Sequence, residues 1–117
     1  MKTAKITLCG STKFKREFEV INKQLTLEGN VVYSVAFFAH FDQVSITPKQ
    51  KKLLDEVHKR KIDNSDGIFV IDVDDYIGES TRSEITYAER TGKFIKYLSD
   101  FPDLKTLVDY ETLRDKF

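Results

Sequence analysis

A chain of 117 residues makes one domain, because two halves of it would each be too small to bury a core unaided. Its 40% hydrophobic and 12% aromatic content, with only five Gly and two Pro, excludes a disordered or collagenous chain. Nineteen basic residues balance nineteen acidic ones, which argues against a nucleic-acid polymer or an anionic membrane surface as partner.

No apolar run approaches the roughly 20 residues that cross a bilayer, and Gly10 interrupts the start before a signal-type apolar core can form. The single cysteine, Cys9, cannot make an internal disulfide, which fits a reducing compartment. A cytoplasmic protein is the expectation.

Residues 4–9 are short and β-branched and run into Gly10-Ser11-Thr12, a strand ending in a turn. Phe14, Phe18, Ile21 and Leu25 then mark one face of an amphipathic helix that stops at Gly29. Val31-Val32-Tyr33 begins a second strand. Thr47, Pro48 and Gln50 form a helix start, with a capping box and Pro at the first position, and the helix runs through Leu53, Leu54 and Val57 to Ile62. The nearly continuous apolar run from Gly67 to Asp72 predicts a central strand covered on both faces. After an acidic loop come a helix from Ser80 to Arg90, closed by Gly92, a strand from Phe94 to Leu98, and a last helix from Leu104 to Phe117.

This alternation predicts an α/β fold: a doubly wound, Rossmann-like or flavodoxin-like parallel sheet of four to five strands, order 2-1-3-4(-5), between two helical layers. Ligands of such sheets sit outside the carboxyl ends of the strands where the winding reverses, here between the first and third strands. Topology therefore singles out two loops, residues 9–14 and 72–84.

In the first loop, the backbone N–H groups and hydroxyls of Gly10, Ser11 and Thr12 suit a phosphate or a sugar hydroxyl. They equally suit a turn glycine followed by a helix cap. The loop lacks the further glycines of a dinucleotide fingerprint and the Gly-Lys-Ser/Thr ending of a P-loop.

The second loop lies in a segment, residues 63–89, that holds eight acids against the single base Arg82. A rim of carboxylates suits a divalent metal or a substrate that turns cationic in its transition state. Glu84, placed in the first turn of its helix, would be held ionised by the helix dipole and available as a nucleophile. Thr81-Arg82-Ser83-Glu84 also matches a capping box, in which the glutamate turns back onto the backbone and does no chemistry. Asp72, Asp74 and Asp75 suit a metal, a proton donor for a leaving group, or a solvated loop.

Three further features complete the candidates. Phe37, Phe38, His40 and Phe41, after the second strand, offer either a wall on which a flat base stacks or ordinary core packing. His58, within His58-Lys59-Arg60-Lys61, reads as a solvated surface residue. Cys9 reads as a small buried hydrophobe with no His or Asn partner.

Gly10-Ser11, Asp66-Gly67-Ile68-Phe69-Val70-Ile71, Gly78, and Glu84-Ile85-Thr86-Tyr87-Ala88 followed by Gly92-Lys93 together resemble the nucleoside 2-deoxyribosyltransferase superfamily. The stretches 58–63 and 76–84 look like its small bacterial and phage members, and the likeness covers about residues 4 to 98. The resemblance implies that Glu84 attacks the anomeric carbon and that Gly10, Ser11, Ser80 and Ser83 lie near the sugar and its 5′ group. It also implies a homodimer or larger homo-oligomer. Thr86 stands where the motif has Gly, and Gly78 stands where deoxyribosyltransferases place an Asp near the base. Asp72, Asp74 or Asp75 would then protonate the base.

The expected function is cleavage or transfer at the N-glycosidic bond of a (deoxy)nucleoside or its 5′-monophosphate, with no metal or organic cofactor. Glu84, Asp72 and Asp74 are the expected catalytic groups. Gly10, Ser11, Thr12, Phe37, His40, Gly78, Ser80 and Ser83 are the expected substrate contacts. Two alternatives stand beside it: a non-catalytic nucleotide sensor of the same fold, and hydrolysis of a nicotinamide ribosyl bond by analogy with Toll/interleukin-receptor-like domains.

Overall fold

Strand and helix alternate along the chain in the computed structural model, which describes residues 3–114. The elements are β1 (Lys5–Gly10), α1 (Lys15–Leu27), β2 (Val31–Tyr33), α2 (Pro48–Asp63), β3 (Gly67–Ile71), α3 (Glu79–Arg90), β4 (Phe94–Tyr97) and α4 (Pro102–Arg114). All strands are parallel, in the expected order β2-β1-β3-β4, with Leu8 opposite Phe69 and Cys9 opposite Val70. The expected continuation of the last helix to Phe117 lies outside the described residues. Among the described residues no helix is long and apolar enough to cross a membrane.

Alternation of side chains along the two central strands builds two cores. Ile6, Leu8, Phe69 and Ile71 point to one face, where Phe18, Ile21 and Leu25 of α1 and Val108 of α4 close over them. Cys9, Ile68 and Val70 point to the other, against Ile62 of α2 and Ile85 and Ala88 of α3. Glycine at position 67 follows from this packing: it lies opposite Phe94, and a Cβ there would overlap the Phe94 ring.

The capping box at the start of α2 forms as expected. Thr47 Oγ1 accepts from the Gln50 N–H at 3.1 Å, and Gln50 Oε1 accepts from the Thr47 N–H at 2.9 Å. The one suspected at Thr81 does not form. Extended Gly78 is the N-cap of α3, its carbonyl accepts from the Arg82 N–H at 2.9 Å, and the helix begins at Glu79. Thr81 is therefore a buried third residue of the helix, and Glu84 lies in the second turn instead of the first.

The acidic loop divides: Asp72 is built into the fold, whereas Asp74 and Asp75 keep the solvated setting expected for at least two of the three. Asp72 is buried and accepts from the Ser99 N–H at 3.0 Å and the Ser99 hydroxyl at 2.6 Å, tying the end of β3 to the turn after β4. That turn begins at Leu98, so β4 ends one residue earlier than expected. Asp74 and Asp75 are exposed in a 3₁₀ turn with φ of 54° and 61°, a backbone that aspartate adopts more readily than most side chains.

Candidate active site

The loops that follow β1 and β3 open, together with α2 and the residues after β2, into a cavity of about 520 Å³. Its position is the expected one, at the carboxyl ends of the two central strands. Gly10, Ser11, Thr12, Phe37, His40, Gly78, Ser80 and Glu84 line it, as the sequence suggested. Asp72, Asp74 and Ser83 do not. Asp72 is committed to Ser99, and Asp74 and Ser83 are exposed away from the lining.

The acidic rim is a second correction. Of the acids in residues 63–89 only Glu79 and Glu84 reach the cavity, where Asp55, Lys51 and Lys61 of α2 join them. Lys51 Nζ donates to Ser80 Oγ at 2.6 Å and lies 3.3 Å from Asp55 Oδ2, linking α2 to the first turn of α3. Lys61 Nζ donates to the Ser34 carbonyl at 2.6 Å, and burial lowers its pKa. The lining thus carries charges of both signs. Sequence reading missed Asp55 because nothing local distinguishes it from the other charges of α2.

The aromatic segment divides between core and cavity. Phe38 packs edge-on against Phe18, with ring centroids 5.4 Å apart, and belongs to the core. Phe37 lines the cavity, and Phe41 does not. The segment is tied down where the His40 N–H donates to Thr12 Oγ1 at 3.2 Å, which occupies the Thr12 hydroxyl as an acceptor.

Glu84 forms the floor. It is 7% exposed, and its pKa is raised to about 7, first by burial and then by the negative charge of Asp55. A hydrogen bond from Cys9 and the charges of Lys59 and Lys51 oppose the rise. The expectation of a carboxylate kept ionised by the helix dipole is therefore overturned: the residue is one turn too deep and too well buried.

Cys9 and His58 lie against this glutamate. Burial and then the Glu84 carboxylate push the Cys9 thiol well up, so it stays protonated beside Glu84. His58 is buried, with Nε2 2.9 Å from the Leu8 carbonyl oxygen and 3.6 Å from Cys9 Sγ. Burial, with a smaller contribution from Lys61, lowers its pKa to about 4. His58 is thus not a solvated residue, and Cys9 does have a histidine partner. A signal existed in the sequence: Leu54, His58 and Ile62 recur every four residues, which puts the histidine on the inward stripe despite its charged neighbours.

One ligand atom each of Cys9, His58 and Glu84 lie within 4.8 Å of one another, a donor set of the kind that binds zinc. Nε2, which faces Cys9, lies 2.9 Å from the Leu8 carbonyl oxygen, and a carbonyl only accepts, so that nitrogen carries the ring proton in this arrangement.

Comparison with protein-family models, with curated proteins and with solved structures finds no match.

Proposed function

We propose that this chain breaks the N-glycosidic bond of a nucleoside or nucleoside 5′-monophosphate, passing the sugar to water or to a second base. The observation that carries this reading is the Glu84 carboxyl at the floor of a cavity shared with Ser11 and Ser80. The cavity volume, about 520 Å³, is within the range of small-molecule sites. Lys51 and Lys61 offset Asp55 and Glu79 in the lining, so a phosphate is not repelled. Phe37 offers a face for a flat base. The likeness of residues 4 to 98 to the nucleoside 2-deoxyribosyltransferase superfamily points the same way.

In this mechanism the Glu84 carboxylate bonds to C1′ as the C1′–N bond breaks, and the electron pair leaves on the base. The base takes a proton from water. Water or a second base then displaces Glu84 from C1′, restoring the carboxylate. With a pKa of about 7, Glu84 is half ionised near neutral pH, so the nucleophilic form is present.

Incubation with nucleosides and their 5′-monophosphates, followed by chromatography for free base, tests the reading. Glu84→Gln is expected to lose about a thousandfold or more of the activity. Base release at the wild-type rate by that variant would remove the role given to Glu84. Saturable binding without release would make the chain a nucleotide-binding protein instead.

A further inference from the structure

His58 has one ring nitrogen committed and the other open. Nε2 lies 2.9 Å from the Leu8 carbonyl oxygen. A carbonyl only accepts, so the ring proton is on Nε2 and the neutral imidazole keeps a lone pair on Nδ1. Burial keeps the ring neutral at ordinary pH, with its pKa lowered to about 4. Among the described residues no buried side-chain nitrogen or oxygen lacks a hydrogen-bond partner. Both contacts of the His58 ring are made by Nε2, and His58 lines the cavity, so Nδ1 lies at the cavity surface.

We infer that His58 Nδ1 accepts a hydrogen bond from the 2′-hydroxyl of the bound sugar, which makes the chain selective for ribonucleosides and ribonucleotides over their 2′-deoxy counterparts. The inference rests on the glycosidic chemistry proposed above. A His58 ring nitrogen and a Glu84 carboxyl oxygen lie within 4.8 Å of each other. A carboxylate that bonds to C1′ brings the substituent on C2′ beside it, and the 2′-hydroxyl is the sugar hydroxyl nearest the reacting carbon. The neighbouring groups are otherwise placed: Cys9 is fully buried outside the lining, with Sγ 3.6 Å from His58 Nε2, and Asp55 lies beside Lys51.

An unprotonated acceptor requires a donor from its ligand. A 2′-deoxy sugar offers none and leaves Nδ1 desolvated and unpaired. Contacts to the 2-hydroxyl strengthen as the sugar becomes oxocarbenium-like, so the selectivity falls on kcat more than on KM. His58 accepts no proton here, because a ring of such low basicity is a poor base at neutral pH. It is a specificity-determining residue.

The test compares kcat and KM for base release from AMP, CMP, GMP and UMP with those from dAMP, dCMP, dGMP and dUMP. Wild type is expected to favour the ribonucleotides about tenfold or more in kcat/KM. His58→Phe, which keeps a ring but no acceptor, brings the ratio to about one, and His58→Gln, which supplies an amide oxygen, restores part of it. Should the buried substitutions unfold the chain, nitrogen-15 spectra of the wild-type imidazole read the same point. Nδ1 is expected unprotonated at neutral pH and shifted by AMP but not by dAMP. A ribo-to-deoxy ratio at or below one, a ratio unchanged in His58→Phe, or a proton on Nδ1 overturns the inference while leaving the glycosidic reading intact. Absence of base release from both series overturns the glycosidic reading and this inference with it.

Discussion

Cys9 Sγ, near the end of β1, and a Glu84 carboxyl oxygen, in the second turn of α3 at the floor of the cavity, lie within 4.8 Å of each other. A thiol there favours the ionised form of Glu84 against burial and the Asp55 charge, which favour the neutral one. Cys9→Ala is therefore expected to raise the Glu84 pKa further, by about one unit, since a hydrogen bond to a charged group is worth roughly 1.5–3 kcal/mol and a thiol is a weak donor. The low-pH limb of base release moves to higher pH by the same amount. Cys9→Ser keeps a donor and stays near wild type. A carbon-13 titration of the side-chain carboxyls, with Glu84→Gln identifying the signal, measures it, and an unmoved pKa in Cys9→Ala contradicts the coupling.

Burial pushes Glu84 and His58 in opposite directions. The folded pKa of Glu84, about 7, is above its ordinary 4.5, so the folded chain holds the extra proton between those values. Stability from this group is greatest below pH 4.5 and is lost as pH rises through about 7. The folded pKa of His58, about 4, is below its ordinary 6.5, so the unfolded chain holds the extra proton there. Its stability is present above pH 6.5 and lost as pH falls through about 4. The two effects oppose each other between pH 4.5 and 6.5 and largely cancel. In Glu84→Gln only the histidine remains, and stability relative to wild type is expected to rise by about 3 kcal/mol between pH 4.5 and 7. Urea unfolding across that range checks it; parallel curves for the two proteins would refute it.

Gly67 and Phe94 face each other across the β3–β4 pair with no room for a methyl group between them. Gly67→Ala is expected to cost about 2–3 kcal/mol, as overpacking of a filled core does. Adding Phe94→Leu should recover part of the loss, because the two changes share one space. Denaturant midpoints of the single and double variants give the coupling directly.

Asp72 holds the end of β3 to Ser99 through two hydrogen bonds, whereas Asp74 is exposed. Asp72→Ala is expected to lose about 2 kcal/mol of stability. Asp74→Asn, which tolerates the same left-handed backbone, is expected to change it by less than about 0.5 kcal/mol. Equal effects of the two would mean that the tie to Ser99 contributes nothing.

The order of strands and the helical layers were legible in the sequence because strand and helix periodicities are local. Phe18, Ile21 and Leu25 are inward for the reason their spacing gives, and Thr47 with Gln50 caps α2 as the pattern requires. The same local pattern misled at Thr81 and Glu84. An extended Gly78 starts the helix earlier, and both residues then turn into the interior. For the acids, composition counted charges in residues 63–89 but could not tell which loop path brings a carboxylate inward, and Asp55 from a different helix takes that place.

From the sequence alone followed the alternation of elements, the sheet order and the place of the cavity, since each depends on repeats a few residues long and on the handedness of crossovers. Only the tertiary structure decided the chemistry of that place. Cys9 and His58 are 49 residues apart in the chain and 3.6 Å apart in space. The protonation of Glu84 is set by how completely such distant groups shut out water, a property of packing that no short stretch of sequence contains.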